Sequence, residues 1–115
     1  MPTATATYAV SDNDQVVVDV LVGDAQPGGS TVFLGTVQLI TGGVTLTNVP
    51  IGKGSDIRGK KLVVATEVTD KSPDTDRTST QITVKGGAAP KTIGQAQVAA
   101  KKGEIVSYVT VISFS

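Results

Sequence analysis

The sequence predicts an all-β chain folded as one antiparallel β-sandwich of about seven to eight strands, immunoglobulin-like or C2-like in architecture. Three observations predict it. Short runs rich in Val, Ile and Thr alternate along the chain with the period of two that a pleated strand imposes. Clusters of Gly, Pro, Asp and Asn interrupt these runs at regular spacing. Only one stretch, 91–100, admits a helical reading at all. At 115 residues the chain makes a single domain, 1–115, large enough to bury roughly two thirds of its unfolded surface in one core.

Taken in order, residues 3–10 form a first strand with Ala4, Ala6, Tyr8 and Val10 on one face. Ser11-Asp12-Asn13-Asp14 is a polar turn. Residues 15–22 follow with Val16, Val18, Val20 and Val22 inward and Asp19 outward, and these two strands are expected to form a hairpin. Residues 23–30, GDAQPGGS, read as a flexible loop. Strands at 31–40 and 44–49 flank Gly42-Gly43, a pair suited to a two-residue hairpin turn because both positions take positive φ without steric cost. Residues 50–60 are a glycine-punctuated basic loop.

Residues 61–85 read as a long hairpin around an acidic loop, 70–78. Leu62, Val64, Thr66 and Val68 share one face, and Ile82 and Val84 continue it after the turn. Gly86-Gly87-Ala88-Ala89-Pro90 then breaks the ladder. In 91–100, Ile93, Ala96, Gln97 and Ala100 could line a helix, but Gly94 and the short length favour a strand. Residues 105–115 carry the strongest strand signal. Val106, Tyr108, Ile112 and Phe114 lie on one face and Ile105, Val109 and Val111 on the other. A strand apolar on both faces belongs inside a sandwich or between subunits.

Composition narrows the function. Ten Lys and Arg balance ten Asp and Glu, so no global field draws in nucleic acid or an anionic membrane. With neither Cys nor His, thiol nucleophiles, Ser-His-Asp hydrolysis and ordinary zinc sites fall away. The first residues lack the basic start and apolar core of a secretory signal, and no apolar run is long enough to span a bilayer. The expectation is a soluble protein, either cytoplasmic or part of a virion or other assembly. Tyr8, Phe33, Tyr108 and Phe114, the only aromatics, all fall on apolar faces, which disfavours a lectin that stacks sugars on exposed rings. Gly52-Lys53-Gly54-Ser55 lacks the full spacing of a phosphate-binding P-loop.

If every strand runs opposite to its predecessor, the turns at 11–14, 41–43, 70–78 and 101–104 share an acidic end, opposite a basic one. The loops 11–14 and 70–78 then offer Asp12, Asp14, Asp70, Asp74 and Asp76 as metal ligands, since Ca2+ takes six to eight oxygens from carboxylates and carbonyls on flexible loops. No EF-hand spacing is present, and Asp is equally at home in turns for reasons of backbone chemistry. Asp74-Thr75-Asp76 also resembles a carboxylate pair for acid-base work. A solvated loop gives it no desolvation to drive the two pKa values apart, and the Gly expected after Asp-Thr in an aspartic peptidase is missing.

The reading is therefore a non-enzymatic structural or protein-interaction module with no catalytic residues. No cofactor is required, Ca2+ being the one the pattern suggests, and calcium-dependent binding through the acidic loops is the alternative. Because 3–10 and 105–115 carry no charge to protect a sheet edge, a homo-oligomer is expected, with an interface at the first or last strand.

Overall fold

The computed structural model describes the whole chain, Met1–Ser115. Nine strands and one helical turn follow in the order β1 (Thr3–Tyr8), β2 (Gln15–Val22), β3 (Gly28–Leu34), β4 (Val37–Gly42), β5 (Thr45–Lys53), α1 (Gly54–Ile57), β6 (Lys61–Thr69), β7 (Arg77–Lys85), β8 (Lys91–Val98) and β9 (Ile105–Phe114). They form two sheets, one ordered β1-β9-β6-β3-β4 and the other β5-β2-β7-β8. The fold is thus an all-β sandwich, with every pairing antiparallel except β1 with β9. No helix is long and apolar enough to cross a membrane.

Alternation sorts the side chains as the sequence predicts. Val16, Val18, Val20 and Val22 of β2 are buried, as are Leu62, Val64, Thr66 and Val68 of β6, Ile82 and Val84 of β7, and Val106, Tyr108, Ile112 and Phe114 of β9. Each such Val, Leu or Ile removed from water contributes roughly 1.5–3 kcal/mol before conformational entropy is subtracted. The apolar interior falls into two clusters. The larger lies between the sheets around Val18, Val32, Leu62, Ile82 and Ile112. The smaller comprises Val22, Val68, Ala99, Val106 and Tyr108. Between them runs a layer of buried hydroxyls, in which Ser30 Oγ meets Thr66 Oγ1 at 2.8 Å and Thr80 lies beside Thr66.

The pairing of strands departs from the expectation in four places. First, β1 and β2 form no hairpin. β1 runs parallel to β9, from Thr3 opposite Val109 to Tyr8 opposite Phe114, and the chain then crosses to the other sheet to begin β2. Second, 61–85 is not a hairpin. β6 sits between β3 and β9 and β7 between β2 and β8, because their apolar faces pack against each other across the core rather than continuing one surface. Third, the turn at Gly42-Gly43 is a crossing between sheets. The local hairpin is β3–β4, folded at Gly35-Thr36 with Leu34 opposite Val37 and Gly35 at φ +61°. This splits 31–40 into two strands and brings the count to nine. Gly42 has a packing role instead, since a Cβ there would collide with the Leu46 side chain. Fourth, Gly28, Gly29 and Ser30 belong to β3 and residues 50–53 to β5, where loops were expected. Residues 91–98 are a strand, as expected.

Candidate functional site

The parallel β1–β9 pair decides where the acidic turns lie. Ser115 N–H donates to Tyr8 O and Val10 N–H to Ser115 O, so residues 9–14 continue past the Phe114 end of β9. Gly54 and Ser55 of α1 donate backbone N–H bonds to the carbonyls of Asp14 and Asp12. Asp70 N–H instead donates to Glu104 O, and Gly103 N–H to Asp70 O, at the Ile105 end. The length of β9, about 30 Å, separates Asp12 and Asp14 from Asp70, Asp74 and Asp76. The expected shared acidic end is therefore corrected: 41–43, 70–78 and 101–104 lie together, and 11–14 lies opposite them. The charge contrast shrinks accordingly, because Asp12 and Asp14 join the basic end beside Lys53, Arg58 and Lys60. Nowhere do three or more carboxylates converge as a set able to hold a metal ion.

The two turns also differ in how they are held. Asp12 forms an ion pair with Arg58, Nη1 to Oδ1 2.6 Å, with both side chains largely in water. Asp14 accepts the Ser11 N–H, and Asp74 donates its backbone N–H to Ser72 Oγ. Asp70, by contrast, has no solvent exposure. Its Oδ1 accepts from Gln26 Nε2 at 3.0 Å and Lys102 Nζ at 3.3 Å, while Oδ2 has no partner.

Gln26, itself buried, organises the loop. Besides Asp70, its amide NH2 donates to the carbonyls of Thr75 and Arg77, and its Oε1 accepts the N–H groups of Lys71 and Ser72. Lys102 Nζ closes the outside, donating to Ser72 O at 2.6 Å and Asp76 Oδ1 at 2.8 Å. The Asp76 carboxyl is held below the usual carboxylate range, mainly by its hydrogen bond from Lys102, and the Lys102 ammonium is pushed up mainly by the same bond. The oxygens that a cation would seek at this end thus already surround an ammonium group.

The largest surface trough, about 410 Å3, runs between β7 and β8 and is lined mainly by Ser, Thr, Gln and small residues. Its one charged residue, Arg77, donates from Nε to Asp24 at 3.3 Å. The outer face of this four-stranded sheet is mostly polar, with Val17, Leu21 and Val98 set singly among Asp19, Gln81, Thr83 and Lys85. Asp19 pairs with Lys85 at 2.7 Å and also accepts the Asn48 N–H, the largest of the causes that lower its pKa.

The outer face of the five-stranded sheet is different. Register places Thr5, Val111, Val63 and Phe33 in one row across four strands, and Thr3, Val109, Ala65 and Thr31 in the next. All but the two β1 threonines are partly exposed, and nothing covers them. Phe33, expected in the core, stands on this face because its register partner Val63 does. Charge is confined to the margins, with Lys61 and Glu67 exposed at the two ends of β6. Beyond Phe33 lies β4, an uncharged edge strand with Val37, Leu39 and Ile40 exposed.

Sequence reasoning missed Gln26 and Lys102, whose roles depend on partners tens of residues away. Lys61 and Glu67 were legible, since both are odd-numbered in a strand whose even-numbered residues are buried. No protein-family model, curated protein or solved structure matches the chain.

Proposed function

We propose that this chain is a non-enzymatic structural or protein-interaction module, a soluble part of a larger assembly, that associates with copies of itself. The observation that carries this reading is the uncovered apolar face built on β9 and β6. Val109, Val111, Val63, Ala65 and Phe33 form a contiguous surface, and soluble monomers rarely leave so continuous an apolar patch unused. The charge-free edge of β4 supports it, because unpaired backbone groups there are open to another strand. An immunoglobulin-like or C2-like kinship belongs to the same reading, as a likeness of architecture, in which sheet faces and end loops serve partners.

Calcium-dependent binding has less support, because the two loops that would share the ion stand at opposite ends and Lys102 fills the oxygens of one of them. The solution mass, measured by light scattering over a hundredfold range of concentration, tests the reading. A mass that rises with concentration is expected, and the monomer mass throughout would overturn it.

A further inference from the structure

We infer that the partner on this face is a second copy of the chain, docked face to face about a two-fold axis that lies between the sheets and runs across the strands. The inference rests on the self-association proposed above and adds which surface is used and in what orientation.

Lys61 and Glu67 carry it. They lie on one strand, on one face, with opposite sign, and Val63 and Ala65 between them point the same way. Neither forms an ion pair or side-chain hydrogen bond within its own chain. Asp19 and Lys85, the corresponding charges on the other sheet's outer face, satisfy each other.

A half-turn about the stated axis reverses strand direction and keeps each strand over its own counterpart. It lays Lys61 of one copy over Glu67 of the other, and Val63 over Ala65, and it does so twice by symmetry. The pattern is self-complementary, as an isologous interface requires. A two-fold along the strands would instead set Lys61 over Lys61. Aligned sheets pack about 10 Å apart at about 30°, a gap and rotation that the Lys and Glu side chains can span from the rim.

Size fits a reversible dimer. Five strands spaced about 4.8 Å apart and the seven residues from Lys61 to Glu67 give a footprint of roughly 500 Å2 in projection. That is below the roughly 800 Å2 of accessible surface that each partner buries in a standard stable interface. Marginal pairs of charge therefore matter to it, and they also select the orientation.

The experiment uses Lys61→Glu and Glu67→Lys, each an exposed substitution whose fold is checked by circular dichroism. Each variant alone should self-associate about tenfold more weakly than the natural chain, because two attractive pairs become two repulsive ones. Mixed one to one, they should form a heterodimer, since one copy then presents only acids at the rim and the other only bases. The double variant should recover self-association to within about twofold.

Self-association that ignores both single changes, with no preference for the mixed pair, overturns the face-to-face dimer and leaves self-association standing. In that case Leu39→Lys on the β4 edge should abolish it. A natural chain that stays monomeric at every concentration overturns both.

Discussion

The turns at 11–14 and 70–76 look alike in sequence, both short and rich in Asp, and they are built on opposite principles. The first is a surface turn. Its backbone is tied to α1, its one ion pair lies in water, and the end of the sandwich beneath it is held by apolar packing of Tyr8, Val10, Ile57 and Phe114. The second turns inward around Gln26 and Asp70, so that buried polar groups cap the small apolar cluster of Val22, Val68, Ala99, Val106 and Tyr108 at that end. An Asp-rich loop is thus no guide to its own environment. Distant donors meet both; what distinguishes the two is that Gln26 meets the second in the buried interior, whereas Arg58 meets the first in water.

The largest expected effect comes from removing the organiser of the polar end. Gln26→Leu removes the partner of the Lys71 and Ser72 N–H groups and of the Arg77 carbonyl and takes a donor from the buried Asp70 carboxylate, and it should cost about 4 kcal/mol in urea unfolding. Hydrogen exchange sharpens the contrast. The amides of Lys71 and Ser72 should lose protection while those of Gly54 and Ser55 keep theirs, and equal loss at both ends would mean that the two ends are held alike.

Next in size is Ile57→Ala at the apolar end. Ile57 is 1% exposed and packs in the main core cluster, so the change should cost about 3 kcal/mol through lost transfer energy and a residual cavity. The same measurement should show the 70–76 amides unaffected.

The ends should also answer differently to pH. Asp76 is held low, so its contribution is complete above the unfolded carboxylate pKa of about 3.9 and is lost as pH falls through its folded value. Lys102 is held high, so its contribution is complete below the unfolded lysine pKa of about 10.4 and is lost as pH rises through its folded value. Lys102→Met should therefore flatten the alkaline limb of a melting-temperature profile and reduce the acid one. The acid limb due to Asp19, which is held low by Asn48 and Lys85, should survive it.

Smallest is Asp12→Ala, which removes only an exposed ion pair and should change stability by less than about 0.5 kcal/mol. A loss several times larger would mean that the 11–14 turn is braced as firmly as its counterpart.

Faces were legible in the sequence and partners were not. Val64 and Val68 declare their face by alternation, and Thr66 is carried inward with them despite its hydroxyl, where Ser30 meets it. Alternation is silent on which strand lies alongside. Val84 continues the pattern of Val68 equally well as a hairpin neighbour or as a facing residue in the other sheet, and the second holds. Gly42-Gly43 looked like a turn because glycine permits one, yet Gly35 makes the turn and Gly42 lies against the Leu46 side chain, which a Cβ would push aside. The burial of Asp70 had no local signal at all, since its partners Gln26 and Lys102 lie far from it in sequence. The outer apolar face of β9 was readable, as the expectation of a strand inside a sandwich or between subunits.

The place of β9 between β1 and β6 has a consequence for the order of folding. β1 is made before every other strand, yet its only neighbour in the sheet lies about a hundred residues further along the chain. β6 likewise has one flank open until β9 arrives. Pairings so distant in sequence pay their loop-closure entropy before any contact repays it, which slows folding to roughly milliseconds to seconds. During that interval the open edge of β6 can take β9 of another copy in place of its own when chains are concentrated. Refolding at high concentration should therefore yield strand-exchanged dimers that persist on dilution, whereas refolding at low concentration should yield chains whose association reverses within the mixing time.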